Sequence, residues 1–468
     1  MTRVQDLLKR MEEEGTRWVD MQFVDLAGFL QHISFPAHEI SADTFTYGIG
    51  NLDASRIKGF QPAEMSDMLL VPDPDTFVPL PWEERTARMF ADLRLAGTRS
   101  PYVKDPRNVV QRAADASQSM GFSNANFAAE PQFNVFDSVV VSAFFPHRAQ
   151  SYIIESREAA GNSFGTNYPF ALNSTAYPAP PKDQMHFIRL QLADLIEDSF
   201  GITVESHHHM GASAGHCAIT MRHAPVKAAA DNAVTFRYVV KSVAAANNAI
   251  ATFMPKPLYG EPGNAMNLHM SLSKSDANAF FDENDARAGI SQMGRYFMGG
   301  ILEHGTSLCA FTNPTTNSYK RLAGDDISSY LCWGTSNRTA ALRVPLYYAD
   351  EKLKHVEYRV PDSSANPYLA FSAVLAAGLD GIKAKIEPGD PVEDDCRKLD
   401  AKAVRELQLK ELPTSLEEAL AELESDSKYL KGIFSQEILG AYIELKADEA
   451  KEERSRPSPH EFQTYLGI

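Results

Sequence analysis

Between residues 205 and 217 the chain reads Glu205-Ser206-His207-His208-His209-Met210, then Ala214-Gly215-His216-Cys217. On a strand, successive side chains point to opposite faces, so His207 and His209 would share one side and His208 and Met210 the other. Imidazole with thioether or thiol suits a soft transition metal or a haem iron better than magnesium. Three histidines in a row serve equally as packed, hydrogen-bonded scaffold. A second group is cationic: Arg321 in YKRL, Arg338 and Arg343 in SNRTAALRVP, and Arg359 in VEYRVPD. Guanidinium binds carboxylates and phosphates bidentately, so convergence of these four would make an anion pocket. The alternative is that each pairs with one of the 61 acidic side chains. Glu130 in Glu130-Pro131-Gln132 and Glu357 are the remaining candidates, and two isolated carboxylates mean little alone.

The elements that must position these residues follow from periodicity. Phe133–Phe136, Ile202–His209 and Val356–Val360 read as strands, and 183–199, 224–246 and 366–379 as helices. The first hundred residues alternate a helical opening with short strand-like runs and a proline-rich passage, VPDPDTFVPLPW, which suggests a small α+β domain over 1–102. A larger domain is expected over 103–468, ending in two helices, the first opened by the capping pattern Thr414-Ser415-Leu416-Glu417-Glu418.

Composition narrows the function classes. The 468 residues carry 45 basic and 61 acidic side chains, a net charge of −16, which argues against an electrostatic nucleic-acid binder. Cys217, Cys309, Cys332 and Cys396 form no CxxC pair and read as reduced, buried thiols. MTRVQDLLKRMEEEG is a charged amphipathic helix rather than a signal peptide, and no stretch has 18 consecutive apolar residues. A cytoplasmic protein with no membrane partner is the expectation.

Taken in order, DLAGFLQHISFPAHEI, LDASRIKGF, SDMLLVPDPDTF, AEPQFNVFD, VESHHHMGASAGH, NLHMSLSK, NPTTNSYKRL, NRTAALRVP, VEYRVPDSSANPYLAFSAVLAAGLDGI and LPTSLEEAL span nearly the whole chain. In this order they resemble glutamine synthetase of the class I (prokaryotic) type. The resemblance implies an α+β fold with an N-terminal β-grasp-like domain. The larger domain would carry an antiparallel sheet forming half of a barrel, completed by a neighbouring subunit in hexameric rings stacked as a dodecamer. Family members join glutamate and ammonium at the expense of ATP, with two divalent cations held mainly by carboxylates. Carried over residue by residue, the family's catalytic positions fall on Asp53, Glu130, His208 and Arg338. Its substrate positions fall on Gly263, Arg321, Arg343 and Arg359, and its nucleotide positions on Glu205, His269, Ser271 and Lys352. Its metal positions that keep a ligand are Glu130, Glu357 and His269.

Other matching positions depart from the family's pattern. Gln132, Met210 and Ala218 stand where carboxylates are expected, Asn267 where a histidine is, and His355 where an arginine is. Pro262 replaces an asparagine, Arg56 follows Asp53 in the ammonium-side loop, and Asp325 or Asp326 stands in for a flap glutamate. These departures lead to the expectation of a divergent enzyme rather than a standard glutamine synthetase. It would act on an amino acid or dicarboxylate and a nitrogen compound, using ATP with one Mg²⁺ or Mn²⁺, or else a soft metal or haem held by His207, His208, His209 and Met210. The alternative expectation is a non-catalytic member with a decayed site.

Overall fold

The computed structural model describes residues 3–143, 150–161, 168–173, 176–275, 277–324, 327–347 and 350–468; Asp325 and Asp326 lie outside them. Helix α1 (Arg3–Glu13) buries Leu7 and Met11, four residues apart on one face, and leaves its charged side in water. The first sheet follows: β1 (Trp18–Val24), β2 (Leu30–Pro36), β3 (Ile49–Asp53), β4 (Asp67–Pro72), β5 (Val78–Pro79) and β6 (Thr86–Leu95), with α2 (Ala42–Tyr47) between β2 and β3. Its order is β2-β1-β6-β4-β3, with β5 on β6. The central β1–β6 pair is parallel and its neighbours antiparallel.

The second sheet is built around β7 (Asn124–Phe136), which follows α3 (Pro106–Ser119). Beyond it come the hairpin β8 (Ser138–Ser142) and β9 (Ser151–Glu155), then α4 (His186–Asp198), β10 (Val204–His209), β11 (His216–Met221), β12 (Ala224–Pro225), α5 (Val226–Ala246), β13 (Ile250–Thr252), β14 (Met266–Lys274) and β15 (Ala277–Asn278). Helices α6 (Gln292–Glu303), α7 (Gly305–Thr312) and α8 (Thr316–Leu322) precede β16 (Tyr330–Leu331), β17 (Trp333–Thr335), β18 (Leu342–Val344) and β19 (Val356–Tyr358). The sheet runs β10-β11-β7-β14-β19-β18-β17, antiparallel but for β17 and β18. It is long and curved, and its concave face carries the pocket described below.

The convex face is covered by α3, α5 and α9 (Pro367–Ala384). Helix α9 is buried around nearly its whole circumference, as its apolar sequence PYLAFSAVLAAGL requires. It crosses α6 at glycines: a Cβ on Gly300 would meet the Ala377 carbonyl oxygen at 2.0 Å, and one on Gly381 the Tyr296 carbonyl at 2.2 Å. The chain closes with α10 (Ala401–Glu406), α11 (Leu416–Ser425), α12 (Gln436–Arg454) and α13 (Pro459–Tyr465). The capping pattern at 414–418 is realised, since Ser415 Oγ accepts the Glu418 N–H at 3.1 Å and the Glu418 carboxylate accepts the Thr414 N–H at 2.7 Å.

The two sheets are joined by buried charge. Arg107, 3% exposed at the start of α3, donates to Asp73 and Asp92 of the first domain at 2.6 Å each. Its remaining edge pairs with Asp231 of α5 at 2.9 Å. Asn366 spans the same seam, donating to the Asp25 carbonyl at 3.0 Å while its oxygen caps α9 at the Tyr368 N–H. The four cysteines are free and buried. Among the described residues no helix is long and apolar enough to cross a membrane.

Candidate active site

Strand register assembles the site. Glu130 on β7 lies opposite Asn267 on β14, His269 on β14 opposite Glu357 on β19, and Arg343 on β18 opposite Glu357. With a side-chain period of two, Ala128, Glu130 and Gln132, then Asn267 and His269, then His355, Glu357 and Arg359 all face one cavity of about 450 Å³. Strand β10 closes it from the other side. A bulge between Val204 and Ser206 lets both Glu205 and Ser206 face the cavity, after which alternation sends His208 and Met210 inward.

The remaining histidines of that run have other partners. His207 meets Arg189 Nε at 3.4 Å and packs on His186. His209 is buried against Phe170, its Nε2 3.0 Å from Glu158. Glu158, itself 0% exposed, also accepts the backbone N–H groups of Gln184, Gly215 and Met185 at 3.0, 2.9 and 3.3 Å. Because the four side chains split between opposite faces, His207, His208, His209 and Met210 do not make one ligand set. Among the described residues no three of His, Cys, Asp or Glu converge to hold a metal.

Glu357 sits at the centre of the cationic wall. Its Oε2 takes Arg343 at 2.7 Å and its Oε1 takes Arg359 Nη1 at 2.5 Å. Burial pushes its carboxyl up, but His269, Arg359 and Arg343 outweigh that and hold it well below the usual carboxylate range. Each oxygen of Glu357 is thus engaged by one arginine, which leaves one lone pair on each. Glu130 is different. Burial again raises it, and His269 together with Asn267 outweighs that, so the carboxyl is held below its ordinary value. His269 Nε2 stands 3.6 Å from Glu130 Oε2, an ion-pair distance rather than a hydrogen bond, and among the described residues neither this nitrogen nor Asn267 Oδ1 has a hydrogen-bond partner although both are buried. With His269 deprotonated at Nε2, that nitrogen and the Asn267 carbonyl oxygen beside the Glu130 carboxylate would fit a divalent cation, whose binding would release the proton that Glu130 and Glu357 otherwise favour on His269. Gln132, by contrast, spends its Oε1 on the Ala265 N–H at 3.0 Å, and Met210 offers only a thioether, so the residues beside them do not fit a second hard cation.

The other expected residues are placed as follows. Arg338 is exposed at the cavity mouth, and Arg359 reaches its carbonyl through Nε at 3.0 Å. Arg321 is 2% exposed behind the wall, bonded to the carbonyls of Val360 and Arg359 at 2.8 and 3.2 Å, and does not line the cavity. Gly263 packs on it, since a Cβ there would lie 3.0 Å from Arg321 Cγ, and 2.3 Å from the Pro255 carbonyl oxygen. Ser271 and Lys352 are also outside the lining. Asp53 is on β3 of the first sheet, exposed, where it accepts from Ser55 Oγ at 2.6 Å and Arg56 Nε at 3.3 Å. Residue types and spacing missed His223, Tyr177 and Glu158. His223 and His355 pack 5.2 Å apart beside His269, and burial, reinforced by that neighbour, lowers them to about 4 and about 3. Tyr177 covers His208 at 4.7 Å.

Two family models match the chain: the glutamine synthetase β-grasp domain over residues 15–95 and the glutamine synthetase catalytic domain over residues 103–465. The chain belongs to the glutamine synthetase family. Its first sheet is the family's β-grasp domain and its second the half-barrel of the catalytic domain, in the class I type. It is 44% identical to the glutamine synthetase of Sulfolobus acidocaldarius over 98% of both chains, and 37% identical to that of Escherichia coli over 99% of both. A cryo-EM structure of Plasmodium falciparum glutamine synthetase superposes with a TM-score of 0.88 at 23% identity, covering 99% of each chain. A structure titled as a GmaS/ADP complex superposes at 0.83 with 26% identity, covering 99% of this chain and 100% of that one. These relatives overturn the expectation of a repurposed enzyme or a decayed, non-catalytic member. Full-length similarity to proteins named glutamine synthetase points to the standard activity, and substitutions at single ligand positions do not outweigh it.

Proposed function

We propose that the cavity carries out ATP-dependent amide formation between glutamate and ammonium, the glutamine synthetase reaction. The observation that carries this reading is the 44% identity over 98% of the chain to a protein of that name, together with the convergence of Arg338, Arg343, Arg359 and Glu130 on one cavity. In this reading glutamate's γ-carboxylate attacks the terminal phosphorus of ATP, ADP leaves, and ammonia then displaces phosphate from the acyl phosphate. Arg338, without an ion pair among the described residues, and Arg359 supply positive charge where phosphoryl oxygens gain negative charge. Arg343 is the positioning residue that fixes Glu357, and Glu357 in turn fixes Arg359. Glu130, Asn267 and His269 would hold Mg²⁺ or Mn²⁺, which neutralises phosphate charge when bound. Glu205 would lie on the nucleotide side, and the ADP in the GmaS structure's title supports nucleotide binding by this fold.

The ammonium side is incomplete within one chain. Asp53 is absent from the cavity lining and exposed, so the reading includes a homo-oligomer in which a neighbour's copy of this loop reaches the site. Exposed apolar surface supports assembly: Val140, Val141, Tyr152 and Ile153 on the β8–β9 hairpin are 56–61% exposed, and Ile468 is 98% exposed. Hexameric rings paired as a dodecamer, acting in the cytoplasm, complete the proposal. Purified protein supplied with ATP, Mg²⁺, glutamate and ammonium should form glutamine and ADP in equal amounts, read by proton NMR and a coupled ADP assay. Absence of glutamine with every component present, on protein shown to be folded, would refute it.

A further inference from the structure

A larger cavity, of about 900 Å³, lies between the β1–β2 turn of the first domain and helices α5 and α12. It shares no lining residue with the active-site cavity. Arg237 and Lys241, one turn apart on α5, both face it. Arg237 spends one N–H on the Ala365 carbonyl at 2.5 Å. Among the described residues no carboxylate lies within ion-pair distance of either cation, and burial, with the Arg237 charge behind it, lowers the Lys241 ammonium. The acids of the cavity are committed or distant. Asp20 takes Ser34 Oγ at 2.5 Å and His32 at 3.4 Å, Glu449 takes Lys446 at 2.8 Å, and Glu83 is exposed. The rest of the wall is largely apolar, including Phe29, Val234, Phe253 and Met254.

Two cations with no carboxylate in ion-pair reach among the described residues, Arg237 partly buried and Lys241 exposed, stand beside apolar side chains in a cavity of ligand size and make one chemical demand. We propose that this interdomain cavity binds a small carboxylate with a hydrocarbon body. Its carboxylate lies between Arg237 and Lys241 and its apolar part against Phe253 and Met254. The ligand class is an amino acid with a large apolar side chain or the corresponding 2-oxo acid. Ser363 on the cavity wall accepts the Gln132 N–H at 3.1 Å, and Gln132 lines the active-site cavity, so an occupant would sit one hydrogen bond from the catalytic wall.

The test is isothermal titration calorimetry on the intact chain with phenylalanine, phenylpyruvate, glycine and inorganic phosphate. Saturable heat is expected with phenylalanine or phenylpyruvate, and which of the two binds more tightly identifies the source of the carboxylate. Lys241→Ala, with an unchanged melting temperature, should weaken that binding at least ~10-fold, Lys241→Arg should keep it, and Arg338→Gln should leave it unaltered. The proposal is overturned by absence of saturable heat with both probes, by equal binding of phosphate, by binding that Lys241→Ala leaves intact, or by binding that Arg338→Gln abolishes.

Discussion

Asn267 stands directly opposite Glu130 across β7 and β14, its amide nitrogen 3.4 Å from Glu130 Oε2 and its carbonyl oxygen without a hydrogen-bond partner. A carbonyl oxygen and a carboxylate side by side make a hard-donor pair, which His269 completes. Titration of Mn²⁺ followed by electron paramagnetic resonance should show tight binding that falls at least ~10-fold in Glu130→Gln and by a smaller factor in Asn267→Ala. Equal Mn²⁺ binding in the parent and both variants would remove these residues from the cation site.

Glu357 neutralises two guanidiniums in a buried setting, being 1% exposed with Arg343 at 3%. Glu357→Ala leaves both cations without their shared partner and should lower stability by about 3–5 kcal/mol, measured by urea denaturation. The folded carboxyl is held below its ordinary value of 4.5. Its stabilisation is therefore complete above that value and lost as pH falls through the lower folded one. Glu357→Gln should flatten the acid limb of a stability-against-pH curve and leave the alkaline limb alone.

His304 behaves with the opposite sign. Burial lowers it, but Asp426 at 2.7 Å and Asp380 at 3.2 Å win and raise it above its ordinary 6.5. The stabilisation is full below that ordinary value and disappears as pH rises through the folded one. The stability difference between the parent and His304→Gln should be largest below the ordinary value of 6.5 and shrink as pH rises through the raised folded one, as thermal unfolding would register. A pH-independent difference would mean that stacking on Tyr429, 4.1 Å away, accounts for the whole effect.

Glu158 gathers three backbone N–H groups and His209 from separate loops behind β10. Glu158→Ala strands those donors in the interior and should cost about 3 kcal/mol or more. Because the same loops hold β10, faster amide hydrogen exchange should appear first at residues 208–216. Uniform loosening across the whole sheet would argue against this local role.

How far the sequence predicts this molecule depends on the range of the interaction. The alternation through 204–209 places His208 in the cavity and His209 in the core because period two is a local property of a strand. Helices expected over 224–246 and 366–379 are found at Val226–Ala246 and Pro367–Ala384, since each carries its apolar pattern within itself. Phe133–Phe136 is only the end of β7, which begins at Asn124; the mixed small and polar residues NANFAAE are strand because β14 and β12 pair with them. The grouping of His223 with His355 needs two segments more than 130 residues apart, each just ahead of a strand, to meet, and neither neighbourhood signals it. Arg321 likewise reads as an anion binder, yet the fold turns it onto two carbonyls.

The Arg107 cluster bears on where this polypeptide could be divided. A fragment ending at residue 102 would keep Asp73 and Asp92 and lose the guanidinium that neutralises them, while the remainder would carry a nearly buried arginine with Asp231 alone. Asp73 and Asp92 already reach solvent in part, at 21% and 43% side-chain exposure, while Arg107 is buried within the contact, at 3%. The cluster therefore acts as a tie between the two sheets, and a cut between them removes that tie.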